Sequence, residues 1–262
     1  MTGSNNAEVS PNPLVIIPAL NEARSVSQVV SMARSLGYVV CVVDDGSTDM
    51  TAQTARSAGA TVLRLPLNLG VGGALRCGFR YAVAKGYSTV VQVDGDGQHN
   101  PNDIPAMLKR MVSSDADMVI GSRFITTEHR YPVAHGRRFA MRVLAWRASR
   151  SVRAQITDAT SGFRVIRAPL LGYFAADYPV EYLGDTVEAL IAAGYHGARV
   201  VEHPIQMSPR RHGDSSAGVM AGVWYVVRVL LAASLMRGRS ARRTSGQTLL
   251  GHDEELSASP VT

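Results

Sequence analysis

The 262 residues are 46% hydrophobic and 18% charged and carry a formal net charge of +6, a balance that excludes a disordered or low-complexity chain and allows one large core. Two cysteines, Cys41 and Cys77, sit in apolar stretches without metal or disulfide spacing and read as small buried hydrophobes of a reducing compartment. The basic residues are almost all arginine and are dispersed without interleaved aromatic runs, which disfavours nucleic acid and suits phosphate or anionic lipid.

Met1 to Pro13 is polar, with neither a basic n-region nor an apolar h-region. No secretory signal is expected there, and residues 1–12 read as a disordered arm. Strand-like runs follow at Leu14 to Ile17, Val39 to Val43, Thr61 to Leu65 and Thr89 to Val93, alternating with helical patterns at Ala23 to Leu36, Thr51 to Ala58 and Gly72 to Ala84. Continuous apolar strands between amphipathic helices predict a mostly parallel sheet flanked by helices. Asp117 to Ile120 continues the series. Ligands of such sheets bind beyond the carboxyl ends of the strands, where the polar clusters fall: Pro18 to Glu22, Asp44 to Asp49, Asp94 to His99 and Gly121 to Arg123.

The run Asp94-Gly95-Asp96-Gly97-Gln98-His99 places two carboxylates and an amide on alternate residues after a β-branched strand. An extended turn can direct those oxygens toward one divalent cation on a diphosphate; Asp-x-Asp also occurs in ordinary surface turns. Adjacent Asp44 and Asp45 call for a cation, a donor-rich ligand or a shifted pKa, and one of them is expected to face ligand. Further on, Arg130 to Arg153 is basic with helical spacing at Phe139, Val143, Leu144 and Trp146, and Glu181 to Ala193 is a second helix with Asp185 and Glu188 off its apolar face. Gly218 to Met236 is apolar all round except Arg228 and Ser234. A central arginine costs about 2.5 to 3.5 kcal/mol in a bilayer, so an interfacial or partner-docking helix is favoured over a span, with packing on its own domain or in a dimer as the plainer alternative. The chain thus divides into 13–216, an apolar helix at 217–237 and a disordered tail at 238–262.

In order and at matching spacing, Val15 to Glu22, Val42 to Asp49, Leu67 to Gly70 with Gly72-Gly73-Ala74, Asp94 to His99, Gly121-Ser122-Arg123 and Asp158 to Arg164 resemble the family 2 glycosyltransferases. The branch most resembled is the dolichyl- or polyprenyl-phosphate mannosyl- and glucosyltransferases. The resemblance runs from about Leu14 to about Ser216. It implies a GT-A (Rossmann-like) α/β fold and inverting transfer of a hexose from a nucleoside-diphosphate sugar. Pro18, Ala19, Asn21 and Glu22 would line the base and ribose pocket, Asp45 would contact the base, and Asp94, Asp96 and Gln98 would hold Mg²⁺ or Mn²⁺ against the diphosphate. Arg123 would lie near the phosphates or sugar. Arg210, Gly213 and Ser215 match the family's Arg-x-x-Gly-x-Ser stretch, which would clamp an acceptor phosphate with Arg211; Ser216 stands where relatives carry lysine. A hydroxyl acceptor would instead need a base, for which Asp185 and then Asp158 are the candidates. The implied partners are the nucleotide sugar, a polyprenyl phosphate or glycan, and a membrane surface or small membrane protein, with the enzyme peripheral at the inner face of the cell membrane. The rival readings are transfer to a hydroxyl of a glycan or small metabolite, and a catalytically silent nucleotide-sugar-binding subunit. Base, hexose, acceptor and oligomeric state, including a homo-oligomer, stay open.

Overall fold

The computed structural model describes residues 12–125, 135–179 and 185–208, with 135–140 and 185 described by backbone alone. The first half follows the expected alternation: β1 (Leu14–Ala19), α1 (Val26–Ser35), β2 (Val39–Asp44), α2 (Thr51–Ser57), β3 (Thr61–Arg64), α3 (Gly70–Ala84) and β4 (Thr89–Gln92). The second half adds α4 (Ile104–Ser114), β5 (Met118–Ser122), α5 (His135–Val152), β6 (Arg164–Arg167), α6 (Leu170–Asp177), α7 (Asp185–Tyr195) and β7 (Val200–Pro204).

The seven strands form one sheet in the order β3-β2-β1-β4-β6-β5-β7. All neighbours are parallel except β6, which runs antiparallel to both β4 and β5. The mostly parallel α/β class is therefore as expected, while β5 does not abut β4. Ile16 of β1 pairs with Cys41 on one side and Gln92 on the other. The order reverses between β1 and β4, and a ligand crevice opens at such a switch point.

Alternation along each strand feeds two cores. Leu14, Ile16, Cys41 and Val43 join Phe79, Leu144, Phe174 and Leu190 on one face. Val15, Ile17, Val40 and Val42 join Val29, Met107 and Phe163 on the other. Cys41 is buried as expected, and burial pushes its thiol up to about 12; Cys77 is half-buried against the first core.

Two helical faces differ from expectation. Trp146 is 56% exposed, because Leu144, Ala145 and Ala148 supply the inner face of α5. Glu188, expected off the apolar face of α7, is buried. The Gly218 to Met236 helix, Arg210, Arg211, Ser215 and both terminal segments lie outside the described residues. Among the described residues no helix is long and apolar enough to cross a membrane.

Candidate active site

The rim at the ends of β1, β2 and β3 is built by short polar side chains that bind the backbone of neighbouring loops. Asn21 adopts φ 56°, a left-handed conformation that asparagine tolerates. Its N–H donates to Ser47 Oγ at 2.9 Å, and its Oδ1 accepts from Thr48 N at 2.9 Å. Glu22 N donates to Thr51 Oγ1 at 2.8 Å, Glu22 Oε2 accepts from Ser25 Oγ at 2.8 Å, and Asp49 accepts from Ala23 N at 3.2 Å and Thr51 N at 2.9 Å.

The adjacent acids have separate assignments. Asp44 is fully buried; its Oδ1 accepts from Ser47 N at 3.0 Å and its Oδ2 lies 3.5 Å from Arg64 Nε. Asp45 Oδ1 accepts from Leu69 N at 2.7 Å where α3 begins. Burial pushes the Asp45 carboxyl up, against the lowering effect of the Leu69 and Gly70 amides, and Asp44 adds to the rise. The chain's own donors thus engage both acids. Between them and Ser47, Gly46 takes φ 77°, and a Cβ there would stand 2.9 Å from Leu67 C, so only glycine lets this turn lie against the 67–68 loop.

Beyond β4, the turn at 94–99 packs on the end of β1: a Cβ on Gly95 would stand 3.2 Å from Pro18 O. His99 Nε2 lies 3.1 Å from Asp94 Oδ2, with the imidazole almost wholly buried 5.3 Å from the Phe163 ring. Its Nδ1 is buried and has no hydrogen-bond partner among the described residues. A Cβ on Gly162 would fall 2.6 Å from both Asp94 carboxylate oxygens, so the absence of a side chain at 162 leaves the notch that the carboxylate occupies. Burial raises the Asp94 carboxyl, but the His99 hydrogen bond and the charges of His99, Arg164 and Arg123 outweigh it and hold the group below the usual carboxylate range. Asp96 Oδ1 accepts from Gln98 N at 3.0 Å. Gln98 is tied to the end of the described chain, its O accepting from Ser208 N at 2.9 Å and its Nε2 donating to Ser208 O at 3.4 Å.

Charged side chains build the other rim. Arg123 grips Asp158 in a forked pair, Nε to Oδ2 at 2.6 Å and Nη2 to Oδ1 at 2.7 Å, and reaches Thr160 Oγ1 at 2.8 Å. Asp158 is 1% exposed. Glu202 on β7 accepts from Thr157 N at 2.9 Å, Asp158 N at 2.8 Å and Thr157 Oγ1 at 2.8 Å, which fixes the loop bearing Asp158. Burial nevertheless raises the Glu202 carboxyl. Arg164, fully buried, donates to Ser161 O and Thr186 O at 2.9 Å and so ties β6 to the first turn of α7, where Asp185 stands.

Of the residues singled out from sequence, Pro18, Ala19, Asn21, Glu22, Asp45, Asp94, Asp96, Gln98, Arg123 and Asp158 lie on the two sides of one crevice, and Asp185 begins α7. Sequence reasoning passed over His99 as a partner of Asp94, and over Arg164, Glu202 and Gly162 as supports. A histidine inside the Asp-x-Asp run was the readable hint for the first; a glutamate in a short strand gives none. Asp94 and Asp96 offer hard carboxylate oxygens, and the notch at Gly162 leaves Asp94 room, so the donor set suits a hard cation completed by phosphate oxygens and water. Among the described residues no three His, Cys, Asp or Glu side chains converge on a metal position unaided.

A sheet with its crevice at the β1/β4 switch, lined by paired acids and an arginine, is a frame for a ligand bound beyond the strand ends. The family model for "Glycosyl transferase family 2" matches residues 14–173, and the chain belongs to that family and is a glycosyltransferase. Among its relatives, the "Undecaprenyl-phosphate mannosyltransferase" of Micrococcus luteus is 32% identical over 237 residues, covering 84% of this chain and 94% of that protein. The "Polyprenol monophosphomannose synthase" of Mycolicibacterium smegmatis is 31% identical over 228 residues, covering 81% and 84%. Among solved structures, the glucosyl-3-phosphoglycerate synthase of Mycobacterium tuberculosis in complex with Mn²⁺, uridine diphosphate and phosphoglyceric acid superposes with a TM-score of 0.63 at 20% identity, over 86% of this chain and 78% of that one. That likeness establishes the fold, a GT-A-like α/β sheet.

Proposed function

We propose that this glycosyltransferase moves a hexose from a nucleoside-diphosphate sugar to a polyprenyl phosphate, with Mg²⁺ or Mn²⁺ held at Asp94 and Asp96. The carrying observation is the Asp94 carboxylate, kept ionised beside buried His99 in a notch that only a glycine at 162 leaves free. Pro18, Ala19, Asn21, Glu22 and Asp45 are assigned to the base and ribose, and Gln98 completes the donor turn. The bound cation offsets charge growing on the departing diphosphate. Arg123, oriented by Asp158 and Thr160, is assigned to anionic oxygens of the ligand in the same cleft.

A lipid monophosphate attacks as an anion and needs no proton removed, so holding it in line matters more than a base. Arg210, Arg211 and Ser215 are the assigned clamp. The bond between Ser208 and Gln98 supports this, because it anchors the chain two residues before Arg210 beside the donor turn. The names of both relatives support the same acceptor. Asp158 is engaged by Arg123 and acts in this reading as a positioning residue, which leaves Asp185 as the base for a hydroxyl acceptor.

The test is a panel of GDP- and UDP-sugars with Mg²⁺ or Mn²⁺, scored for nucleoside diphosphate release with and without polyprenyl phosphate. Stimulation by the lipid phosphate with one donor is expected. No stimulation with any donor would sink the acceptor assignment. Asp185→Asn should leave that transfer largely intact; abolition would favour a hydroxyl acceptor.

A further inference from the structure

Seven arginines and no acid or lysine lie between Glu128 and Asp158. α5 sorts the described ones by face. Leu144, Ala148 and Val152 are buried in the core shared with α7, while Arg142, Trp146, Arg150 and Arg153 are all exposed. At 100° per residue Arg142, Trp146 and Arg150 fall within one quadrant of the helix wall, and Arg153 stands one residue past the helix end with φ 53°. The Arg150 guanidinium lies 5.2 Å from the centroid of the Trp146 ring. A tryptophan 56% open to solvent, flanked one turn away on each side by arginine, forms an outward face with an apolar body, a polar N–H and only positive charge.

We propose that this face of α5 is where the enzyme lies on an anionic lipid surface, with the Trp146 indole at the headgroup level and Arg142, Arg150 and Arg153 on lipid phosphates. The assignment rests on the reading that the acceptor is a lipid phosphate. Interfacial tryptophan and arginine snorkelling are the chemistry of such a boundary, and each basic group near an anionic bilayer adds attraction that salt screens. The helix that docks is thus a folded part of the catalytic domain, packed against α7, in addition to any contact made by the Gly218 to Met236 segment.

Trp146 reports on this directly. The chain has two tryptophans, so Trp224→Phe in the full chain leaves Trp146 as the sole indole emitter. Vesicles of phosphatidylcholine, with and without phosphatidylglycerol, would carry brominated acyl chains as quencher. Blue-shifted, quenched Trp146 emission is expected with the anionic vesicles alone and should be reversed by high salt. Arg142→Glu with Arg150→Glu, both on exposed positions, should weaken partitioning by roughly tenfold or more. Trp146 emission unmoved while the protein sediments with anionic vesicles would overturn the proposal, as would a response to soluble heparin and none to vesicles. Activity separates this from the acceptor reading. On a water-soluble short-chain isoprenyl phosphate the double variant should match the parent, and on vesicle-borne polyprenyl phosphate it should fall. Equal loss on both acceptors would refute the docking role, whereas no transfer to either by the parent would refute the acceptor assignment and leave the fluorescence result to decide the docking face.

Discussion

On the β1–β3 side of the cleft the loops are joined by short side chains accepting from backbone amides; on the β5–β7 side they are joined by buried charges on long ones. Asn21, Asp45, Ser47 and Asp49 each serve a backbone group or hydroxyl within a neighbouring loop. Arg123 and Asp158 meet across 35 residues of sequence, and Glu202 reaches Thr157 across 45. The first side is a set of modest neutral or singly charged bonds, each replaceable at limited cost. The second side concentrates its order in a few largely buried ionic contacts, where the loss of one partner strands the other.

The contrast can be broken most decisively at Asp158. Asp158→Asn leaves the Arg123 guanidinium, its side chain only 10% exposed, without its counter-charge, and should cost about 3 to 5 kcal/mol in urea unfolding and abolish transfer. Gly162→Ala comes next: a methyl 2.6 Å from both Asp94 oxygens forces that carboxylate aside, for about 1 to 3 kcal/mol. Nucleoside diphosphate release should fall further than the melting temperature suggests. Wild-type release would remove Asp94 from the centre. Asn21→Gly keeps the left-handed backbone and loses only the two bonds from Thr48, so about 1 kcal/mol is expected by the same unfolding assay. A cost equal to that of Asp158→Asn would erase the distinction between the two sides.

The smallest effect is in pH dependence, and its sign differs across the cleft. Burial raises the Asp49 carboxyl, but the hydroxyl and amide of Thr51 and the amide of Ala23 together hold it below 3.8. Its contribution is therefore present above 3.8 and lost as pH falls through its lower folded value. Burial holds the Glu202 carboxyl above 4.5. That contribution is complete below 4.5 and lost as pH rises through the raised folded value. Unfolding midpoints measured against pH should lose part of the acid-side slope in Asp49→Asn and part of the decline above pH 4.5 in Glu202→Gln.

The same contrast governs what could be read from the sequence. Caps and turns must lie next to the backbone they serve, so Pro18 to Glu22 and Asp44 to Asp49 announce themselves as clusters at strand ends, and β1 to β4 show as continuous β-branched runs. Charges that meet across strands have no local pattern, and Arg164 and Glu202 went unread. β6 escaped because its four residues, Arg164-Val165-Ile166-Arg167, hold only two apolar side chains. α4 escaped because Pro101 and Pro105 resemble breakers, although each stands in a first turn, where its missing N–H has no intrahelical partner to lose. Trp146 was misplaced because the apolar spacing of α5 is satisfied by Leu144, Ala145 and Ala148 without it.

The reversed strand β6 has a consequence for how such an enzyme diverges. The chain leaves the sheet after Ser122 at the end of β5 and returns at Arg164 at the head of β6, two neighbouring strands on the same rim. An excursion whose ends are fixed side by side can lengthen, shorten or change its surface while the sheet keeps its register. Asp94 is held from below by β4 and from the side by Gly162, next to β6, so both contacts lie apart from α5. A sheet of fixed register can thereby carry excursions of different surface character, and in this chain the excursion carries the exposed arginines of α5.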